Sequence, residues 1–225
     1  MNDPEKFHFR LPRSKRPHEL TLVEPWYPGV ERYWPNCTSK RSVHPIDGIV
    51  AVIIHATAGS SSVGAVSVMK QAVEPASFHW LVPDEDEEQH GHLVWACVPE
   101  ALAAWHVRNR ASHADVSEGA KRVNHWSLGV EVVNAQQNDP FSDWQLEATA
   151  RIVRYCWAKY PNLVDVLSHA KLDPSRRSDP GIQFDWPRFQ RLVLDTADAP
   201  LPDLVAGVTP LSRLRRRDAG GCCDV

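Results

Sequence analysis

The sequence lacks several features that would assign it to common classes of protein. Its 225 residues contain no apolar stretch near the roughly 18–20 residues that span a bilayer, so no membrane span is expected. The formal net charge is -3, and without an excess of lysine and arginine a nucleic-acid partner is not expected. The segment MNDPEKFHFRLPRSKRPHEL has no apolar signal-peptide core. A cytoplasmic location is therefore the simplest expectation, with non-classical export or a phage lysis role as alternatives.

A disulfide framework is also missing. The five cysteines are an odd number, and Cys222 and Cys223 are adjacent, so the default expectation is a reducing compartment. Cys97 lies in an apolar segment and Cys156 in a helical one, and both are interpreted as buried packing residues. A cysteine peptidase stays an alternative, which inhibition by a thiol alkylator but not by a chelator would support.

The distribution of proline and charge divides the chain into three parts. Residues 1–47 are rich in both and predict an N-terminal extension, partly packed on the domain because aromatic residues recur at 24–35. Residues 48–198 have the patterning of one globular domain. Residues 199–225 are proline-rich and then basic, which predicts a flexible tail.

Within the domain, strand and helix patterns alternate along the chain. This alternation predicts an α/β fold with a central mixed β-sheet flanked by helices. A capping box of Ser142 with Gln145 marks the start of the longest predicted helix. The predicted strands are 49–55, 77–82, 92–98, 127–134 and 162–169, and the predicted helices are 63–73, 141–160 and 185–195.

Two histidines and an aspartate suggest a metal site. His55 and His169 each stand at the carboxyl end of a predicted strand, and Asp179 follows in the proline-stiffened loop HAKLDPSRRSDPG. Two imidazoles and one carboxylate leave a fourth position for water, which is the arrangement of catalytic zinc sites. His90 and His92 form a competing pair, for which an exposed hairpin edge is the simpler interpretation.

Two further residues suit hydrolytic chemistry beside such a metal. Glu131 lies inside the apolar strand SLGVEVV, where a carboxylate is costly unless it is paired or used. Facing the metal, it could take a proton from water; a salt bridge is the alternative. Arg177 could donate hydrogen bonds to an oxyanion, or it could be a solvated loop residue.

Several segments together resemble the type 2 N-acetylmuramoyl-L-alanine amidases. IIHATAG, AAWHV, SLGVEVVN and HAKLDPSRRSDPG followed by FDW occur in the family's order, and the resemblance covers about residues 48–197. The family includes muropeptide-recycling amidases, phage lysozyme-like amidases and peptidoglycan recognition proteins. The resemblance implies a zinc amidase that cleaves the bond between N-acetylmuramic acid and L-alanine, with peptidoglycan or a muropeptide as its partner.

The resemblance also implies roles for individual residues. It assigns zinc to His55, His169 and Asp179, and it makes Glu131 the catalytic carboxylate. Arg177 stands where the family usually has lysine, which favours an electrostatic role over proton transfer. Trp105 and His106 match a cleft-lining segment and are expected to contact substrate. His79 matches a family position to which no role is assigned. A non-catalytic peptidoglycan-binding module is the alternative function, and the oligomeric state is left open.

Overall fold

The computed structural model describes residues 2–18, 34–87, 91, 93–136 and 139–195. The predicted tail at 199–225 lies outside these residues, as do His90, His92 and positions 24–33 of the aromatic-rich segment. Among the described residues, no helix combines the length and the apolar character needed to cross a membrane.

The strands form a main sheet and a small second sheet. The main sheet has the order β1-β8-β3-β7-β4-β5, and β2 pairs with β6 in the second. Strands β8, β3, β7 and β4 run parallel to one another, whereas β1 and β5 are antiparallel at the two edges. The sheet is therefore mixed, as predicted. The strands are β1 (His8–Arg10), β2 (Thr38–Lys40), β3 (Ala51–Ala56), β4 (Trp80–Val82), β5 (Trp95–Ala96), β6 (Leu102–Ala104), β7 (Ser127–Val132) and β8 (Asp165–Ser168).

Helices cover the sheet as the sequence pattern predicts. The capping box is present, because the Ser142 side chain accepts from the Gln145 backbone and the Gln145 side chain accepts from the Ser142 backbone. Asp185 caps the last helix by accepting from the backbone of Arg188. The α-helices are α1 (Ser62–Ser67), α2 (Asp143–Lys159), α3 (His169–Leu172) and α4 (Trp186–Leu194).

Some predicted boundaries differ from the structure. The predicted strand at 92–98 is reduced to Trp95–Ala96, and the predicted helix at 63–73 ends in a 3-10 turn, Val68–Lys70. His169 begins α3 rather than ending β8. Strands β1, β2 and β6 are not predicted, because three-residue strands are too short to show a periodic pattern.

The central strand β3 is buried along its whole length. All six of its residues are buried, since β7 and β8 flank it and side chains cover both faces. Helices α2 and α4 pack together over one face of the sheet and enclose the largest apolar cluster. Two smaller apolar clusters complete the core.

The described N-terminal residues are joined to this core. Strand β1 pairs with β8, and the ring of Phe7 stacks on Trp186 at a centroid distance of 4.9 Å. The Asn2 side chain donates to the carbonyls of Ile182 and Phe184 at 2.8 and 2.6 Å. This segment therefore contacts the strand that precedes His169 and also the loop that follows Asp179.

Candidate active site

The parallel strands bring the predicted site residues to one edge of the sheet. His55 is the fifth residue of β3 and pairs in register with Glu131 on β7. His169 directly follows β8 on the other side of β3. Carboxyl ends of neighbouring parallel strands share an edge, where ligand clefts form in open α/β sheets. The topology thus gathers residues that are more than 110 positions apart in sequence.

His55, His169 and Asp179 converge on one point. Their candidate ligand atoms all lie within 4.8 Å of one another, and all three residues are buried. The two histidine Nδ1 atoms are 3.0 Å apart. Asp179 Oδ2 lies 3.2 Å from Nδ1 of His55 and 3.0 Å from Nδ1 of His169. The three residues form a possible metal site.

The donor set fits a tetrahedrally coordinated divalent cation. Ligands at roughly 2.0–2.2 Å from such an ion stand about 3.3–3.6 Å apart, close to the separations found here. Burial, followed by the neighbouring His169, lowers the pKa of His55 to about 4, so the imidazole is neutral at neutral pH and one of its two nitrogens keeps a free lone pair. Burial alone would raise the pKa of Asp179, but its contacts with His169 and His55 hold that pKa well below the usual range.

Glu131 completes the group from the neighbouring strand. Burial is the main cause that raises the pKa of its carboxyl to about 8; Asp179 adds to the shift, and Arg177 opposes it. Its carboxylate makes no hydrogen bond to a described residue, so the salt-bridge alternative has no support there. A bound cation would act against the burial effect, because positive charge favours the carboxylate form.

An open cleft of about 630 Å³ leads to these residues. One wall is the loop that follows β3 and enters α1, and Ala76–Phe78 extend it. The loop that carries Asp179 also lines the cleft. The wall residues 56–61 and 176–178 frame His55, Glu131, His169 and Asp179.

Comparison with known proteins agrees with this geometry. The sequence profile of the family described as N-acetylmuramoyl-L-alanine amidase matches residues 45–182. The chain belongs to this family.

Two curated members of the amidase family illustrate the similarity. The 1,6-anhydro-N-acetylmuramyl-L-alanine amidase AmpD of Salmonella typhimurium is 39% identical over 87 residues, which are 37% of this chain and 46% of that protein. The N-acetylmuramoyl-L-alanine amidase AmiD of Escherichia coli is 30% identical over 148 residues, which are 61% of this chain and 51% of that protein. The chain therefore spans about half the length of each relative.

A solved structure supports the same family assignment. The Escherichia coli AmiD complex with anhydro-N-acetylmuramic acid-L-Ala-D-gamma-Glu-L-Lys superimposes with a TM-score of 0.53 and 28% identity. The superposition covers 65% of this chain and 58% of that one. The mixed sheet found here is thus the fold of this amidase family.

The remaining predicted residues differ in their exposure and in whether they line the cleft. Arg177 is exposed and lines the cleft. His106 also lines it but is only 8% exposed. Trp105 is 38% exposed and lies outside the lining residues. The two cysteines Cys97 and Cys156 are fully buried, and burial raises the pKa of the Cys97 thiol, which disfavours a cysteine peptidase.

The sequence reasoning missed two small residues on the site face of β7. The Ser127 hydroxyl lies 3.3 Å from His106 Nε2. A Cβ on Gly129 would lie 2.7 Å from His106 Cγ, so glycine is what lets the imidazole approach the strand. The available signal was alternation, since Ser127, Gly129 and Glu131 are two positions apart and share one face of a strand.

Proposed function

We propose that this chain is a zinc-dependent N-acetylmuramoyl-L-alanine amidase. It hydrolyses the amide between N-acetylmuramic acid and L-alanine in peptidoglycan or muropeptides. One observation carries the proposal. The buried group His55, His169 and Asp179 lies in the cleft with the Glu131 carboxyl on the adjacent strand. Family membership over residues 45–182 supports the same chemistry.

Zinc is the metal that best suits these ligands. Two imidazole nitrogens and one carboxylate oxygen form a common protein set for catalytic zinc, with one position left open. Harder cations such as Mg²⁺ and Ca²⁺ prefer all-oxygen sets. When bound, zinc supplies Lewis acidity, which polarises an amide carbonyl and makes water more acidic.

The chain's own residues have separate tasks in this reaction. Glu131 accepts a proton from the attacking water and delivers it to the departing alanine nitrogen, so the amide and water become a lactyl carboxylate and a free amine. Arg177 donates hydrogen bonds to the oxygen that gains negative charge. Its place on the loop next to Asp179 supports this role, because Asp179 is among the proposed ligands.

Selectivity for the muramyl amide has to come from the cleft walls, since the bond-breaking step suits any amide. Trp105 and His106 are predicted to contact the sugar or the stem peptide. His106 lines the cleft, and Trp105 is its immediate neighbour in sequence with a partly exposed ring. Exposed aromatic side chains are suited to packing on sugar rings, so the Trp105 contact stays a proposal.

A non-catalytic peptidoglycan-binding module is the second candidate function. It would need the fold and the cleft but neither the metal ligands nor the carboxylate. The presence of all four groups in the lining of the cleft favours the enzyme. A module without catalysis would bind wall fragments and release nothing.

Product analysis tests the proposal. The zinc-loaded protein is incubated with intact sacculi and, separately, with soluble anhydro-muropeptides, and the products are identified by mass spectrometry. We expect stem peptides that begin with L-alanine and sugars that carry a free lactyl carboxylate. An Asp179→Ala variant serves as the inactive control. New reducing sugars, or cleavage only within the stem peptide, would contradict the proposal; binding without products would support the module.

A further inference from the structure

A chain of hydrogen-bond contacts runs from the metal site into the protein. Nε2 of His55 lies 2.9 Å from Nδ1 of His106. Nε2 of His106 lies 3.3 Å from the hydroxyl of Ser127. That hydroxyl donates to the backbone carbonyl of Val123 at 2.7 Å. This series of contacts links His55, a proposed zinc ligand, to the backbone carbonyl of Val123 through the buried side chains of His106 and Ser127.

The Val123 carbonyl determines the direction of every hydrogen bond in this series of contacts. A backbone carbonyl can only accept, so Ser127 donates to Val123 and its oxygen accepts from His106 Nε2–H. A neutral imidazole carries a proton on only one of its two nitrogens, so Nδ1 of His106 carries none and can accept a hydrogen bond. That atom accepts from His55 Nε2–H. Nδ1 of His55 therefore carries no proton, and it is the atom that faces His169 and Asp179.

We propose that His106 and Ser127 are positioning residues that hold His55 in the one tautomer able to bind zinc through Nδ1. An imidazole without such a partner divides between two tautomers, of which only one presents a lone pair to the metal. Partners behind a metal-bound histidine fix both its tautomer and the orientation of its ring. The inference rests on the proposed zinc function and assigns His106 to the metal ligand rather than to a polar contact with substrate, since both of its nitrogens are used within the protein.

The packing around His106 supports this role. Gly129 leaves room for the ring, because any Cβ there would lie 2.7–3.0 Å from its atoms. The His79 ring contacts it from another side, with centroids 5.8 Å apart. His169 offers an internal contrast, since its Nε2 atom is buried without a hydrogen-bond partner among the described residues. Only one of the two histidine ligands is therefore held in this way.

The test measures zinc binding instead of turnover. Zinc affinity is determined by competition with a chromophoric chelator for the wild type, Ser127→Ala, His106→Ala and Gly129→Ala. Thr149→Val is the matched control, because the Thr149 hydroxyl is also fully buried and donates to the carbonyl four residues earlier at 2.7 Å. It lies on α2, away from the residues that line the cleft.

We expect His106→Ala to weaken zinc binding by roughly 10–100-fold, the usual effect of losing a partner behind a ligand. Ser127→Ala should weaken it less, and Gly129→Ala should weaken it by displacing the ring without removing a polar group. Because Ser127 acts through His106, the double variant Ser127→Ala/His106→Ala should bind zinc as His106→Ala does. Thr149→Val should bind as the wild type does.

A second measurement reads the tautomer without any metal. Nitrogen-15 NMR of the metal-free protein should show His55 protonated on Nε2 in the wild type and a mixture of tautomers in Ser127→Ala, the mildest variant. Unchanged zinc affinity in His106→Ala and Ser127→Ala, or an Nδ1–H tautomer of His55 in the wild type, would overturn the inference. A wild-type protein that binds no zinc would instead overturn the proposed function, while the tautomer measurement would still decide this inference.

Discussion

Acidification of the metal-free protein should destabilise it through His79, a residue that neither binds metal nor lines the cleft. His79 is fully buried, and its Nδ1 accepts from the backbone of Gly129 at 2.9 Å. Its Nε2 lies 3.1 Å from the carbonyl of Leu102 and 2.9 Å from Nη2 of Arg41. Burial, followed by the Arg41 charge, places the pKa of His79 well below 6.5. Protonation would set an N–H against the Gly129 N–H and add a cation beside the guanidinium.

The sign and size of the effect follow from proton linkage. The folded protein keeps His79 neutral, whereas the unfolded chain binds a proton as the pH falls through 6.5. Stability is therefore lost below pH 6.5, until the pH reaches the folded pKa, at about 1.4 kcal/mol per pH unit. Over the first pH unit below 6.5 this single residue should remove on the order of 1 kcal/mol from the free energy of unfolding.

A His79→Gln variant isolates this contribution. Glutamine can accept from Gly129 and donate to Leu102, but it does not titrate. Urea denaturation of metal-free wild type and variant across this pH range gives the two slopes, and the other titrating groups cancel in their difference. Between pH 6.5 and 5.5 we expect the wild type to lose on the order of 1 kcal/mol more than the variant. His44→Gln, at a surface position, controls for the loss of a histidine. Parallel curves for wild type and His79→Gln would refute the reasoning.

Substitutions at four positions, with matched controls, test the site and the N-terminal segment. Asp179→Ala should lose zinc and activity together, and full zinc occupancy in that variant would remove Asp179 from the site. Glu131→Gln should keep zinc but slow turnover by roughly 10²–10⁴-fold, so near-normal rates would exclude a general base there. Arg177→Ala should slow turnover by about 10²–10³-fold while Arg177→Lys retains most of it; a silent alanine would make Arg177 a surface residue. Phe7→Ala should lower the free energy of unfolding by about 3–5 kcal/mol in denaturant titrations, whereas Val73→Ala, at a side chain that is 77% exposed, should change it little. Equal effects would mean that the N-terminal residues contribute no packing.

The sequence alone indicates the fold class and the members of the site. The run IVAVIIH predicts a doubly buried strand because only a strand between parallel neighbours hides every side chain, and the structure confirms that β3 lies between β7 and β8. The capping box predicts the start of α2 because its signal is local. His55, Glu131 and His169 are identifiable from the sequence since each ends or interrupts a predicted apolar strand, where a buried polar side chain is costly unless it is paired or used.

Tertiary structure decides what local signals do not carry. Three-residue strands such as β1 and β2 have too little pattern to detect, and they exist because a neighbouring edge supplies their hydrogen bonds. The segment around β1 lies outside the matched family region, yet it pairs with the strand that leads to His169. Its role depends on which edge of the sheet is open, and no residue within the segment encodes that.

The roles of the site residues are likewise determined partly by the sequence and partly by the tertiary structure. The resemblance of AAWHV to a segment of the amidase family identifies His106 as a member of the site, but it implies a contact with substrate. Only the fold shows its two nitrogens engaged with His55 and Ser127, because the three residues come from segments 21 to 72 positions apart. A short motif in sequence determines which groups are available for chemistry. The direction in which each group points is a property of the packed sheet, since it depends on partners that only the complete topology brings within hydrogen-bond distance.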